Sequence, residues 1–181
     1  GKIEADSRTN AMVCWIYIVP TLIEVVGGEL PESLDGRPFS GVLRGDTPSH
    51  RKRIFSTHSG DRKMNVYLSR SIRTERYKLI YNPHPDFAFT THIDLLLRET
   101  SGDYFKQWQE RSKTDGKAAS LIALHHGRPE LEFYDLKRDP HEQTNLAGRA
   151  DVVELQQELL AELKAWMKAQ RDELTVFHEP V

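Results

Sequence analysis

The sequence predicts an α+β fold: a small four-stranded antiparallel sheet with a packed C-terminal helix, preceded by a strand-helix unit of the kind that α/β domains contain. Three observations carry this. Four short β-prone runs are separated by polar or turn-rich segments. A long amphipathic pattern occupies the C-terminal end. A continuously apolar run near the start leads into a helix pattern that opens with proline and closes on glycine.

The first run is Met12 to Val19, MVCWIYIV, apolar at every position and rich in β-branched and aromatic residues, as expected of a strand covered on both faces. Pro20 suits the first turn of a helix, and Leu22, Ile23, Val25 and Val26 supply apolar positions before Gly27-Gly28. Residues 1–29 therefore read as the end of another domain. From Leu30 to Pro48 the sequence is dense in Pro, Gly, Ser and Asp, with Asp35-Gly36 a turn signal, so residues 30–50 read as a surface connection.

Residues 51–181 then form the α+β domain. Its strands are expected at Arg53 to Thr57, Ser69 to Arg73, Tyr77 to Asn82 and Leu131 to Leu136. Between the third and fourth, Thr91 to Asp115 suits one or two short inserted helices. The last helix is expected over Asp151 to Leu174, with Val152, Leu155, Leu159, Leu163 and Trp166 on one face and Asp151 and Glu154 at capping-box spacing.

Composition excludes more than it names. The 181 residues are 38% hydrophobic and 29% charged with a formal net charge of -2, so no whole-chain field attracts nucleic acid or an anionic membrane. The apolar run from Ala11 to Leu22 is shorter than the roughly 20 residues a membrane-spanning helix requires, and it lacks signal-peptide features. Cys14 is the single cysteine, which rules out an intrachain disulfide framework. Flanked by Val13 and Trp15, it reads as a core residue rather than an activated nucleophile. His125-His126 and His141-Glu142 match no compact metal motif and read as solvated loop residues, so no metal is assigned. The basic run His50-Arg51-Lys52-Arg53 could hold a sulfate or phosphate, but its simpler reading is a solvated entrance to a strand.

Along nearly its whole length the chain resembles the type I sulfatases of the alkaline phosphatase-like superfamily. RTNAMVCWIYIVPTLIEVVG is similar to the family's Val-Ser-x-x-Asp strand running into a Pro-Thr-Leu helix, and LDGRPFSGVLRG to its Asp-Gly-x-Ser connection. SRSIRTERYKLIYN resembles its Arg-Thr-x-x-Tyr-Lys hairpin, and LEFYDLKRDPHEQTNLAG its Leu-Tyr-Asp-Leu-x-x-Asp-Pro strand and turn. In the last, Asp139-Pro140 is expected to make the turn and Asn145 to bond neighbouring backbone. FSTHSGDRKMNVYLSRSIRTERYKLI and HIDLLLRETSG narrow the likeness to the heparan N-sulfatase (sulfamidase) branch. Cys14 and Tyr17 depart from the family's Ser and Asp.

The resemblance implies a C-terminal region whose parent enzyme hydrolyses sulfamate or sulfate ester bonds on glycosaminoglycan sugars. It implies residues 1–29 as the terminal strand-helix of the catalytic α/β domain. Formylglycine and calcium would belong to that domain, because no C/S-x-P-S-R motif occurs in this chain. The implied partners are the catalytic domain and a sulfated sugar, with no nucleic acid and no membrane, and the implied location is exported or lysosomal. No catalytic residue is expected here. His58, Ser59, Asp61 and Arg62 are candidate substrate-binding residues on a polar stretch after the first strand, with Arg70 and Arg73 as further candidates on the sheet. The competing readings are a stand-alone sulfated-glycan-binding module and a non-catalytic subunit.

Overall fold

The computed structural model describes residues 3–60, 65–91 and 103–180. The chain folds as two compact units, Gly1–Ile54 with Arg73–Glu75 and Phe55–Ile72 with Arg76–Val181.

In the first unit the expected strand over Met12 to Val19 does not form. Trp15–Tyr17 make a single 3-10 turn that runs into helix α1, Ile18–Val25. A strand needs neighbours for its backbone groups. Outside the named strands, the one bridge among the described residues joins Met12 to Arg51. The backbone is satisfied locally instead, with Tyr17 N donating to Cys14 O at 3.1 Å. Nor is Cys14 the fully buried core residue that the strand reading implied; it is half-buried ahead of the turn. Pro20 falls within the first turn of α1, where backbone N–H groups have no intrahelical partner. The helix stops as expected: Gly27 adopts φ 76°, Gly27 N reaches Glu24 O at 3.0 Å and Gly28 N reaches Ile23 O at 2.9 Å.

The connection is packed onto α1. Phe39 N donates to Thr21 Oγ1 at 3.0 Å, and Ser40, in the short helix α2 (Ser40–Leu43), donates to the Glu24 carboxylate. Gly36 serves close approach: a Cβ there would lie 1.9 Å from Ile16 O.

The second unit is built on a four-stranded sheet in sequential order, antiparallel throughout: β1 Ile54–His58, β2 Ser69–Arg73, β3 Tyr77–Tyr81 and β4 Leu131–Asp135. These differ from expectation by at most one residue at an end. In the β3–β4 register Leu79 faces Phe133 and Tyr77 faces Asp135. Alternation places Ile72, Leu79 and Phe133 on one face, where Leu159, Leu163 and Met167 of the last helix, α5 (Val153–Ala169), bury against them. Phe55 of β1 stacks on Trp166 at 4.8 Å.

Helix α5 is shorter than expected at both ends. Asp151 pairs with Arg149 at 2.8 Å instead of capping, and Val152 takes the N-cap position without a side-chain bond. At the other end Arg171 turns left-handed at φ 55°, Arg171 N bonds Lys168 O and Asp172 N bonds Met167 O. These are the two bonds of a Schellman stop.

Between β3 and β4 stand α3 (Asp103–Ser112) and α4 (Gly116–His126). The earlier part of the expected insertion, His92 to Gly102, lies outside the described residues. Helix α4 was not expected. Asp115 caps it, accepting from Lys117 N at 3.0 Å and Ala118 N at 3.2 Å, and its last turn carries His125 and His126. That pair is therefore helical, not a solvated loop. His126 Nδ1 lies 2.9 Å from Phe89 O, and His126 O accepts from Phe89 N.

Candidate functional site

Strand β1 delivers His58 to its C-terminal end, with Ser59 next and Gly60 at φ 117°. Asp61 and Arg62 lie outside the described residues. Alternation from Phe55 turns His58 to the sheet face opposite α5. What holds it there is Arg70, which is 3% exposed on the neighbouring β2. Arg70 Nη1 donates to His58 O at 2.6 Å and to Ser69 O at 2.9 Å, while Nε and Nη2 grip the Asp172 carboxylate, the latter at 2.9 Å. The guanidinium beside Asp172 holds its carboxyl below the ordinary carboxylate range, against a smaller opposing effect of burial. Arg70 is therefore spent on internal bonds and fixes the strand end that carries His58. Arg73 ends β2 in an exposed position.

A group of aromatic and basic side chains adjoins His58. Its ring centroid is 6.3 Å from that of Phe89, which also meets Tyr67 edge-on at 5.5 Å and His125 edge-on at 5.4 Å. The Arg128 guanidinium lies over the Phe89 ring, 4.1 Å from its centre. Three polar atoms of this group are buried without a hydrogen-bond partner: His58 Nε2, Tyr67 Oη and Arg128 Nε. Burial pushes the Tyr67 phenol up to about 12, so it stays protonated. Buried polar atoms left unpaired cost free energy, so a ligand or a water that reached these three would be held by them. The chemistry on offer is hydrogen bonding and cation–π contact.

The other polar motifs are absorbed structurally. Arg51 lies over the Tyr17 ring at 5.1 Å and His50 meets it edge-on at 4.8 Å, so half of the basic run packs rather than being solvated. Glu142 pairs with Lys78 at 2.7 Å. Among the described residues no group of three or more His, Cys, Asp or Glu could hold a metal ion. Asn145 exceeds its expected role: its Oδ1 accepts from Phe133 N and Ala147 N, and its Nδ2 donates to Leu131 O. Sequence reasoning missed Tyr67, Phe89 and Arg128. The apolar Val66-Tyr67-Leu68 leading into β2 was the one available signal, since all three are buried.

Residues 1–94 match the family described as N-sulphoglucosamine sulphohydrolase, C-terminal. The chain belongs to that family. Its sulphohydrolase likeness extends to curated proteins: an ulvan-active sulfatase of Formosa agariphila is 28% identical over 179 residues, covering 96% of this chain and 32% of the relative. An N-acetylglucosamine-6-O-sulfatase of Bacteroides thetaiotaomicron is 25% identical, covering 94% of this chain and 24% of the relative. The chain thus spans a third or less of the length of these relatives. In fold it is similar to a putative sulfatase from Bacteroides thetaiotaomicron, with a TM-score of 0.57 at 20% identity over 90% of this chain and 27% of that one. The chain is a sulfatase C-terminal region.

Proposed function

We propose that this chain completes a sulfatase of the heparan N-sulfatase type, which hydrolyses sulfamate or sulfate ester groups of glycosaminoglycan sugars, and that it is inactive without the catalytic domain. The family match supports the enzyme class, and the dependence on a catalytic domain is carried by the orientation of α1. Ile18, Val19, Leu22, Val25 and Val26 form one stripe at helical spacing, and all are exposed, as is Trp15 at 85%. The opposite side, Tyr17, Pro20 and Thr21, is buried. An apolar stripe turned outward is an interface in waiting. Its occupant in this reading is the sulfatase catalytic domain, with residues 1–29 forming part of that domain's packing.

Formylglycine and calcium would come from the catalytic domain. Cys14 is followed by Trp15-Ile16-Tyr17, which lacks the Pro and Arg of the motif that formylglycine formation reads. In the complete enzyme His58 and its loop would contribute donors to sulfate or carboxylate oxygens, with Arg70 as the positioning residue behind them.

The test compares the chain alone with the chain joined to a sulfatase catalytic domain, measuring sulfate release from N-sulfoglucosamine and from 6-O-sulfated glucosamine in the presence of calcium. Release by the joined protein only is expected. Release by the chain alone would overturn the reading, and joined-form activity on O-sulfate but not N-sulfate would remove the sulfamidase assignment.

A further inference from the structure

A cavity of about 290 Å³ opens between α3, α4 and β4, on the sheet face opposite α5. All of its lining residues belong to the second unit. One wall is apolar: the half-exposed indole of Trp108 from α3, with Leu121 and Leu124 from α4. The other wall is polar, made by Arg128, Glu132, Tyr134 and Glu142, and His125 of α4 completes the lining.

The polar wall is ordered in advance. Glu132 is buried, and its two oxygens accept from Asn82 Nδ2 at 2.8 Å and Tyr134 Oη at 2.6 Å. Burial, and then the bond to Glu132, raises the Tyr134 phenol, so it remains a donor. Glu142 is held by Lys78 Nζ at 2.9 and 2.7 Å. Arg128 stacks on Phe89 and its Nη1 stands 3.9 Å from Glu132. Each carboxylate oxygen has a second lone pair, and a guanidinium has five N–H donors, so the wall offers acceptors and donors side by side.

We propose that this cavity binds one unsulfated hexopyranose ring of a glycan chain. A pyranose has an apolar C–H face and an edge of hydroxyls that each donate and accept, which matches an indole wall opposite a carboxylate–guanidinium wall. The volume lies at the low end for ligand pockets and suits a single ring. Charge selects the ligand class. Glu132 and Glu142 balance Arg128 and Lys78, so the wall has no surplus positive charge, and a sulfate placed here would face two carboxylates. A purely apolar ligand would bury these charged groups without meeting the hydrogen-bonding capacity they have left. The cavity shares Arg128 with the group around His58, and the two differ in the ligand proposed for each, an unsulfated ring here and a sulfated group there.

The test is a titration of the ¹⁵N-labelled 181-residue chain with the unsulfated disaccharides chitobiose, cellobiose and lactose, and with glucose 6-sulfate, following the indole N–H of Trp108. At least one unsulfated disaccharide is expected to give a saturable shift with a Kd of about 1 mM. Trp108→Ala, followed through backbone amides of α4, and Glu142→Gln are each expected to weaken it roughly tenfold, whereas Trp15→Ala leaves it unchanged. A dispersed amide spectrum shows that each variant is folded. No shift with any unsulfated disaccharide up to about 50 mM, or glucose 6-sulfate binding equally well, overturns the proposal. Neither result bears on sulfate release by the joined enzyme.

Discussion

Arg70 and Asp172 stand 102 residues apart in sequence and form a two-pronged ion pair, one prong being Arg70 Nη2 to Asp172 Oδ1 at 2.9 Å. The pair ties the tail after α5 to β2 and, through the bond from Arg70 Nη1 to His58 O, to the end of β1. Both side chains are largely buried. Removing one partner strands the other, so Arg70→Ala is expected to cost about 3–5 kcal/mol, measured by urea unfolding.

The same pair sets an acid sensitivity. The carboxyl of Asp172 is lowered in the folded state, chiefly by its bonds to Arg70. Its contribution is therefore fully present above the unfolded-state value of about 4 and is lost as pH falls through the folded value. Asp172→Asn should flatten the stability–pH profile below about pH 4 while lowering stability at neutral pH. An unchanged acid limb would show that other carboxylates govern acid unfolding.

Gly36 limits the first unit by contact. A Cβ at this position would meet Ile16 O at 1.9 Å and Ile16 C at 2.7 Å, both backbone atoms that cannot rotate away. Gly36→Ala is expected to cost about 1–3 kcal/mol. Faster amide exchange at Phe39, whose N–H is held by Thr21, would report it, with the amides of β3 and β4 unaffected. Equal exchange at Phe39 in both proteins would contradict the clash.

Leu22 of α1 and Val26, which caps it, are exposed, so charges there meet solvent in this chain. Leu22→Glu and Val26→Glu should each change its thermal stability by no more than about 0.5 kcal/mol. Both should abolish co-elution of the chain with a separately expressed sulfatase catalytic domain. Co-elution that survives both changes would place the interface elsewhere.

Most of the second unit was legible because its signals are local. The three residues Thr74 to Arg76 between two β-prone runs specify a hairpin, and the stripe from Val152 to Trp166 specifies a helix against it. Met12 to Val19 misled because apolarity at every position shows that a segment seeks cover without showing its backbone form: a strand forms only beside another strand, whereas a turn and helix satisfy themselves. Helix α4 was missed because Gly116 opens it and Lys117 to Ser120 carry no apolar stripe, although Asp115 was a readable cap. In the candidate site, His58 was visible as a polar residue closing a strand. Arg70 was visible as well, but its carboxylate lies beyond α5, and long-range pairing of single charges leaves no periodic trace. Phe89 and Arg128 converge only because the α3–α4 insertion folds back over the sheet.

The remaining prediction concerns His58 in the joined enzyme. Its carbonyl is anchored by Arg70 and its Nε2 is buried without a partner beside Phe89, so the strand end is rigid while the imidazole keeps hydrogen-bonding capacity. A preorganised donor loses little entropy when it meets a ligand oxygen. His58→Ala, and Arg62→Ala in the stretch that follows, are each expected to lower kcat/KM on a sulfated glucosamine substrate by roughly ten- to a hundredfold, the loss of one charge-assisted hydrogen bond of about 1.5–3 kcal/mol. The thermal stability of the His58→Ala protein should fall far less than that of Arg70→Ala, because Arg70, unlike the His58 side chain, is one partner of a buried ion pair. If His58→Ala leaves kcat/KM unchanged while Arg70→Ala lowers it through unfolding, the loop after β1 is structural and substrate is held elsewhere.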